Sequence, residues 1–79
     1  MNEKYNKNIT SEEIKDIFGR NLRKALAEQG ITYEAFAELM NVSTRVVYDW
    51  TGGIKSPRLD KICIMCNILN ITLDSLIRY

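Results

Sequence analysis

The sequence predicts an all-α protein, a compact bundle of five helices. Three observations carry that expectation. Helix-capping residues recur at short intervals: Thr10, Thr32, Ser43, Ser56 and Thr72. Apolar residues between them repeat at helical spacing. The β-branched Val42, Val46 and Val47 are too scattered to make a strand. At 79 residues the chain suits one domain, and 46% apolar residues suffice for one core.

The polar start MNEKYNKN has no periodicity and reads as a flexible tail over residues 1–9, leaving 10–79 as the folded domain. Thr10 and Glu13 form a capping box for the first helix, and Ile9 and Ile14 stand at staple spacing. Ile14, Ile17, Phe18, Leu22, Ala25 and Leu26 make its apolar stripe; Gly19 weakens it slightly, and Gly30 ends it in a left-handed turn. Thr32 caps a short second helix whose apolar positions are Phe36, Ala37, Leu39 and Met40, and Asn41 stops it. Ser43 caps a third helix from Thr44 to about Trp50, held inward by Val46 or Val47 with Trp50 and ended by Gly52 and Gly53. Ser56 is expected to cap a fourth helix with Pro57 as its first residue. Its stripe is Leu59, Ile62, Cys63, Cys66 and Leu69, and Asn70 ends it. Thr72 caps a last helix with Leu73, Leu76 and Ile77.

Several function classes are disfavoured. With no His, no glycine-rich phosphate cradle and no metal-ligand set, an enzyme, a cofactor or a small-molecule ligand is not expected. Cys63 and Cys66 form a CxxC, which serves elsewhere as a redox pair or half a zinc site. Zinc needs four ligands, and the chain has no His and no further Cys. Redox pairs open a helix after a strand, whereas this pair lies inside an apolar helical run. Two reduced cysteines packed as small hydrophobes are expected. No apolar stretch is long enough for a membrane and no signal region is present, so a cytoplasmic protein is expected.

The second and third helices meet, one by one, the demands of a DNA-binding helix-turn-helix. Ala37 is small enough for close crossing. Asn41 accepts the left-handed turn. Val42 plugs the turn, Ser43 caps the second helix, and Val47 and Trp50 pin it to the core. Its front face is polar: Thr44, Arg45, Tyr48 and Asp49. The net charge of +1 means that DNA affinity depends on clustering of the positive groups.

From Asn21 to Leu76 the chain resembles the Cro/CI-type, or XRE, helix-turn-helix family. The resemblance rests on the segments LRKALAEQGITYEAFAELMNVSTRVVYDW, TGGIKSP and LDKICIMCNILNITLDSL in that order. It implies a lambda-repressor-like five-helix domain with the third helix, about 43–50, in the major groove of double-stranded DNA. Thr44, Arg45, Tyr48 and Asp49 would then face bases. Tyr33, Ser43, Thr51, Gly52, Gly53, Lys55 and Arg58 would face phosphates, with Ser56 adjacent. A regulator acting by operator occupancy is the implied function, with a homodimer through the C-terminal helix as a further expectation. Two departures stand out: Tyr33 replaces the family's usual Gln, and Asn41 replaces the usual Gly of the turn. With Asp49 and the low net charge, Tyr33 keeps open a second reading, an antitoxin-like or protein-interaction adaptor of the same fold.

Each site residue has an ordinary alternative. Arg45 is spaced for a salt bridge to Asp49. Asp49 could accept from a cytosine amino group or orient Arg45. Tyr48 could touch a thymine methyl or be a bare surface aromatic, and Lys55 could be a common loop lysine. Trp50 belongs to the core. Arg20, Arg23 and Lys24 read as a solvated face of the first helix. Leu73, Leu76, Ile77 and Tyr79 make the C-terminus apolar, part core and part candidate dimer surface.

Overall fold

The computed structural model describes residues 8–78. Most of the expected flexible tail, and Tyr79, lie outside that range. Five helices follow in order: α1 Ser11–Gln29, α2 Tyr33–Met40, α3 Thr44–Thr51, α4 Leu59–Leu69 and α5 Leu73–Ile77. The described residues contain no strand.

Local chemistry sets four of the five starts. The Thr10 hydroxyl accepts from the Glu13 amide at 3.1 Å, and the Thr10 amide donates to the Glu13 carboxylate at 2.9 Å. Thr32, Ser43 and Thr72 cap α2, α3 and α5 through Ala35, Val46 and Ser75. Each such cap is worth about 1 kcal/mol. Left-handed residues stop three helices: Gly30 at φ 68°, Asn41 at 57° and Asn70 at 55°. After Gly30 and Asn41 the chain turns back, with Ile31 and Val42 donating to the Leu26 and Ala37 carbonyls.

The fourth helix departs from expectation twice. It starts at Leu59, not Pro57; Arg58 is extended at its N-cap, and no side chain caps it. Pro57 is buried instead of riding on the first turn, which takes Ser56 away from the N-cap position. The inward face also differs. Met65 and Leu69 are buried, Ile62 and Cys66 pack against the core partly, and Leu59 and Cys63 are exposed. The segment LDKICIMCNIL is apolar nearly all round, so its periodicity cannot select a face.

One core joins all five helices: Phe18, Leu22, Leu26, Phe36, Ala37, Met40, Val47, Trp50, Met65, Leu69 and Leu76. Burying a Leu, Met or Phe fully contributes about 1.5–3 kcal/mol. Of the stripe expected on α1, Ile14 is left largely exposed and Ala25 half-buried, and on α2 Leu39 is exposed. Helix α1 runs against both α3 and α5, while α2 packs on α3 and α4. Three side chains stitch the helices together, one of them Lys61, which donates to the Met40 carbonyl at 3.3 Å. Asn21 donates to the Leu76 and Arg78 carbonyls at 2.9 and 2.8 Å, and Gln29 donates to the Leu69 carbonyl at 2.7 Å.

Gly19 does more than weaken α1. A Cβ there would lie 2.7 Å from the Thr51 carbonyl oxygen and 2.9 Å from that of Trp50. The backbone of α1 therefore passes directly against the end of α3, a contact open only to glycine. This crossing fixes the angle at which α3 faces outward.

Candidate nucleic-acid interface

Helix α3 buries one side and presents the other. Val47 and Trp50 face the core, with 0% and 5% exposure, and Val46 is half-buried. Val47 rather than Val46 is thus the main anchor. Thr44 is half-exposed; Arg45 and Tyr48 are exposed. These three form the accessible part of the expected reading face.

Asp49 does not stand on that open face. Its side chain is only 10% exposed and lies between two cations. Oδ1 is 3.5 Å from Arg45 Nε, and Oδ2 is 3.9 Å from Lys55 Nζ. The Arg45 and Lys55 side chains themselves remain 85% and 73% exposed. The loop after α3 folds back on the same residue, since Ile54 and Lys55 amides donate to the Asp49 carbonyl at 3.0 and 3.2 Å.

The expected phosphate-facing residues divide. Gly52, Lys55 and Arg58 are exposed and Gly53 is half-exposed. Thr51 is buried, and its hydroxyl donates to the Val47 carbonyl at 2.9 Å, so it offers no outward donor. Ser43 is exposed, with its oxygen already accepting from the Val46 amide. Arg58 lies near Asp60, 3.9 Å away, in a fully solvated pair.

Tyr33 and Tyr48, read separately from the sequence, form one unit. Their rings meet edge to face, with centroids 4.9 Å apart and planes at 76°. Tyr33 at the start of α2 thus holds Tyr48 on α3 in place. Arg20 and Arg23, expected on a solvated face of the first helix, are both exposed. They line a hollow with Asp16, Thr51 and Gly52 beside the end of α3. The sequence held only one hint of this, the glycine at position 19 in the middle of a helix. Gly53 is close to α1 as well, because a Cβ there would meet the Asp16 carboxylate.

The cysteines are both free thiols, but only Cys66 is packed; Cys63 is exposed. Burial, and then the neighbouring Cys63, raise the Cys66 thiol above its ordinary pKa. Among the described residues, no helix is long and apolar enough to cross a membrane.

The HTH_3 helix-turn-helix family profile matches residues 22–76, which hold the second part of α1, all of α2, α3 and α4, and α5 up to Leu76. The chain belongs to the HTH_3 family. This is the Cro/CI or XRE type that the sequence resembles, and the all-helical, five-helix fold agrees with it. Among solved structures, this HTH_3 chain is similar to the SOS-response transcriptional repressor LexA from Eubacterium rectale. The identity is 30% and the TM-score 0.79, over 84% of this chain and 70% of that one. It is also similar in fold to an HTH_3 family transcriptional regulator from Vibrio cholerae, with 19% identity and a TM-score of 0.76. That match covers 85% of this chain and 38% of the other, so the chain spans well under half of that regulator. Curated proteins contain no match to the chain.

Proposed function

We propose that the protein is a transcriptional regulator that binds double-stranded DNA with α3 in the major groove, repressing by occupying its operator. The observation that carries this reading is the α3 surface itself. A rigid eight-residue helix, capped by Ser43 and anchored by Val47 and Trp50, holds Thr44, Arg45 and Tyr48 outward. Membership of a helix-turn-helix family supports the same mode of use.

In this reading Arg45 presents its fork to guanine O6 and N7. Thr44 and Tyr48 supply a hydroxyl and an aromatic edge for neighbouring bases. Backbone phosphates meet Lys55, Gly52, Gly53 and Arg58, with Tyr33 and Ser43 at the starts of α2 and α3 on the flank. The Arg20 and Arg23 side chains extend the positive rim. The small net charge is then less of an obstacle, because Arg45 and Lys55 gather at Asp49 and Arg20 and Arg23 lie beside the end of α3. A single module with this few contacts binds weakly, so a homodimer through the exposed residues of α5 completes the proposal.

The test is binding to random duplex DNA at two salt concentrations, followed by Arg45→Ala on duplexes selected from a random pool. Phosphate-driven binding falls steeply with salt. Arg45→Ala is expected to cost about 1–3 kcal/mol on the selected duplexes and to relax preference at one base position. Absence of binding even at low salt would sink the proposal and favour the adaptor reading, to which the Tyr33 and Asp49 departures point.

A further inference from the structure

We infer that Asp49 is a positioning residue that sets sequence discrimination: it orients the Arg45 fork and couples α3 to the Lys55 loop. This rests on the DNA-binding reading above and adds to it a role for a residue that carries the wrong charge to meet DNA directly.

A carboxylate near phosphates opposes binding, so its presence just beneath this surface calls for a compensating role. The geometry supplies one. Asp49 is on the α3 turn after Arg45, and its Oδ1 faces Nε of the guanidinium. The opposite edge of the guanidinium, the two Nη groups, is left for a bidentate contact outward. A free Arg side chain samples many rotamers; one edge held against a nearly buried carboxylate narrows that choice before DNA arrives. The second oxygen faces Lys55, and the main-chain carbonyl of the same residue takes the Ile54 and Lys55 amides. Base-reading helix and phosphate-facing loop thus meet at one residue, so a shift of one displaces the other. Arg58 makes an instructive contrast: its partner Asp60 is 63% exposed against 10% for Asp49, so that pair lacks a fixed end.

The consequence is a trade. Asp49 lowers the positive charge of the surface and so weakens indiscriminate attraction, while it sharpens the one contact that reads sequence. Asp49→Asn, nearly the same shape without the charge, separates the two effects. On a random-sequence duplex it is expected to bind about threefold to tenfold more tightly than wild type, with a salt slope steeper by about one. In parallel selections from a random duplex pool, its selected sequences lose information at the position that Arg45 reads. Combined with Arg45→Lys, which keeps charge but lacks the fork, Asp49→Asn adds no further loss of discrimination.

A measurement on the unaltered protein keeps the inference testable should Asp49→Asn unfold. By NMR, the Arg45 Nε–H of the free chain should exchange with solvent more slowly than that of Arg58. Equal exchange at the two arginines overturns the inference. So does an Asp49→Asn protein that selects the same sequences with undiminished information, or one that is merely less thermostable. If wild type binds the random duplex without salt dependence and selects nothing, the DNA reading itself fails, and this inference with it.

Discussion

At the scale of single residues, the site depends on positions whose importance comes from what they lie against. Gly19 is the clearest. Helix propensity alone says that Ala at this position should help by roughly 0.5–1 kcal/mol. The crossing of α1 over the Thr51 carbonyl reverses that sign, because the obstacle is backbone and cannot rotate away. Gly19→Ala is expected to destabilise by about 1–3 kcal/mol. For a domain of this size that lowers the melting temperature by roughly 4–8 °C per kcal/mol, which calorimetry would detect. A melting point equal to or above wild type would show that α1 and α3 can separate without cost. Asp49 makes a similar point about legibility. Its neighbours Val47 and Trp50 were readable as an inward stripe, but its own burial comes from the loop folding back over it. That is a contact between segments, and periodicity within α3 carries no trace of it.

At the scale of helices, the chain's own punctuation decides most of the architecture. The starts of α1, α2, α3 and α5 and the stops at Gly30, Asn41 and Asn70 were all legible, because each depends on a hydroxyl, a carboxylate or a left-handed residue within a few positions. The start and facing of α4 were not. Nothing caps it, and an all-round apolar segment is oriented only by what it packs on. The cap of α3 matters twice, since it sets both the stability of the reading helix and the height at which Thr44 and Arg45 emerge. Ser43→Ala is expected to cost about 1 kcal/mol, seen as a lower urea midpoint with unchanged slope. Asp at the same position retains the cap and should restore the midpoint. If Ala leaves the midpoint where it was, the hydroxyl is not stabilising α3.

At the scale of the whole molecule, exposed apolar side chains occur both beside the cations of the reading side, at Tyr48, Ile54 and Leu59, and on α5. Arg45, Lys55 and Arg58 accompany α3 and the loop after it. Leu73 and Ile77 are 44% and 43% exposed on α5, the helix packed on the far end of α1. That arrangement suits the proposed pairing of two copies, each presenting its own α3. Two such helices would read half-sites about 34 Å apart, one helical turn of DNA. Replacing both Leu73 and Ile77 with Glu is expected to raise the dimer dissociation constant at least about tenfold in sedimentation equilibrium. Leu76 stays as the buried anchor of α5. Wild type sedimenting only as a monomer at high concentration would remove the pairing from the proposal.

The bonds from Asn21 have a consequence for how the fold is reached. They join α1 to carbonyls 55 and 57 positions further along, and Leu76 closes the same core there. Helices α2, α3 and α4 meet through short connections and can assemble early. Docking of α5 on α1 must close a loop of 55 residues, at a loop entropy of about 3.5 kcal/mol. Among the described contacts, those of longest sequence separation carry the largest closure cost. Helix α1 thus carries both the Gly19 crossing against α3 and the Asn21 tie to α5, so the last helix braces the strut behind the reading helix.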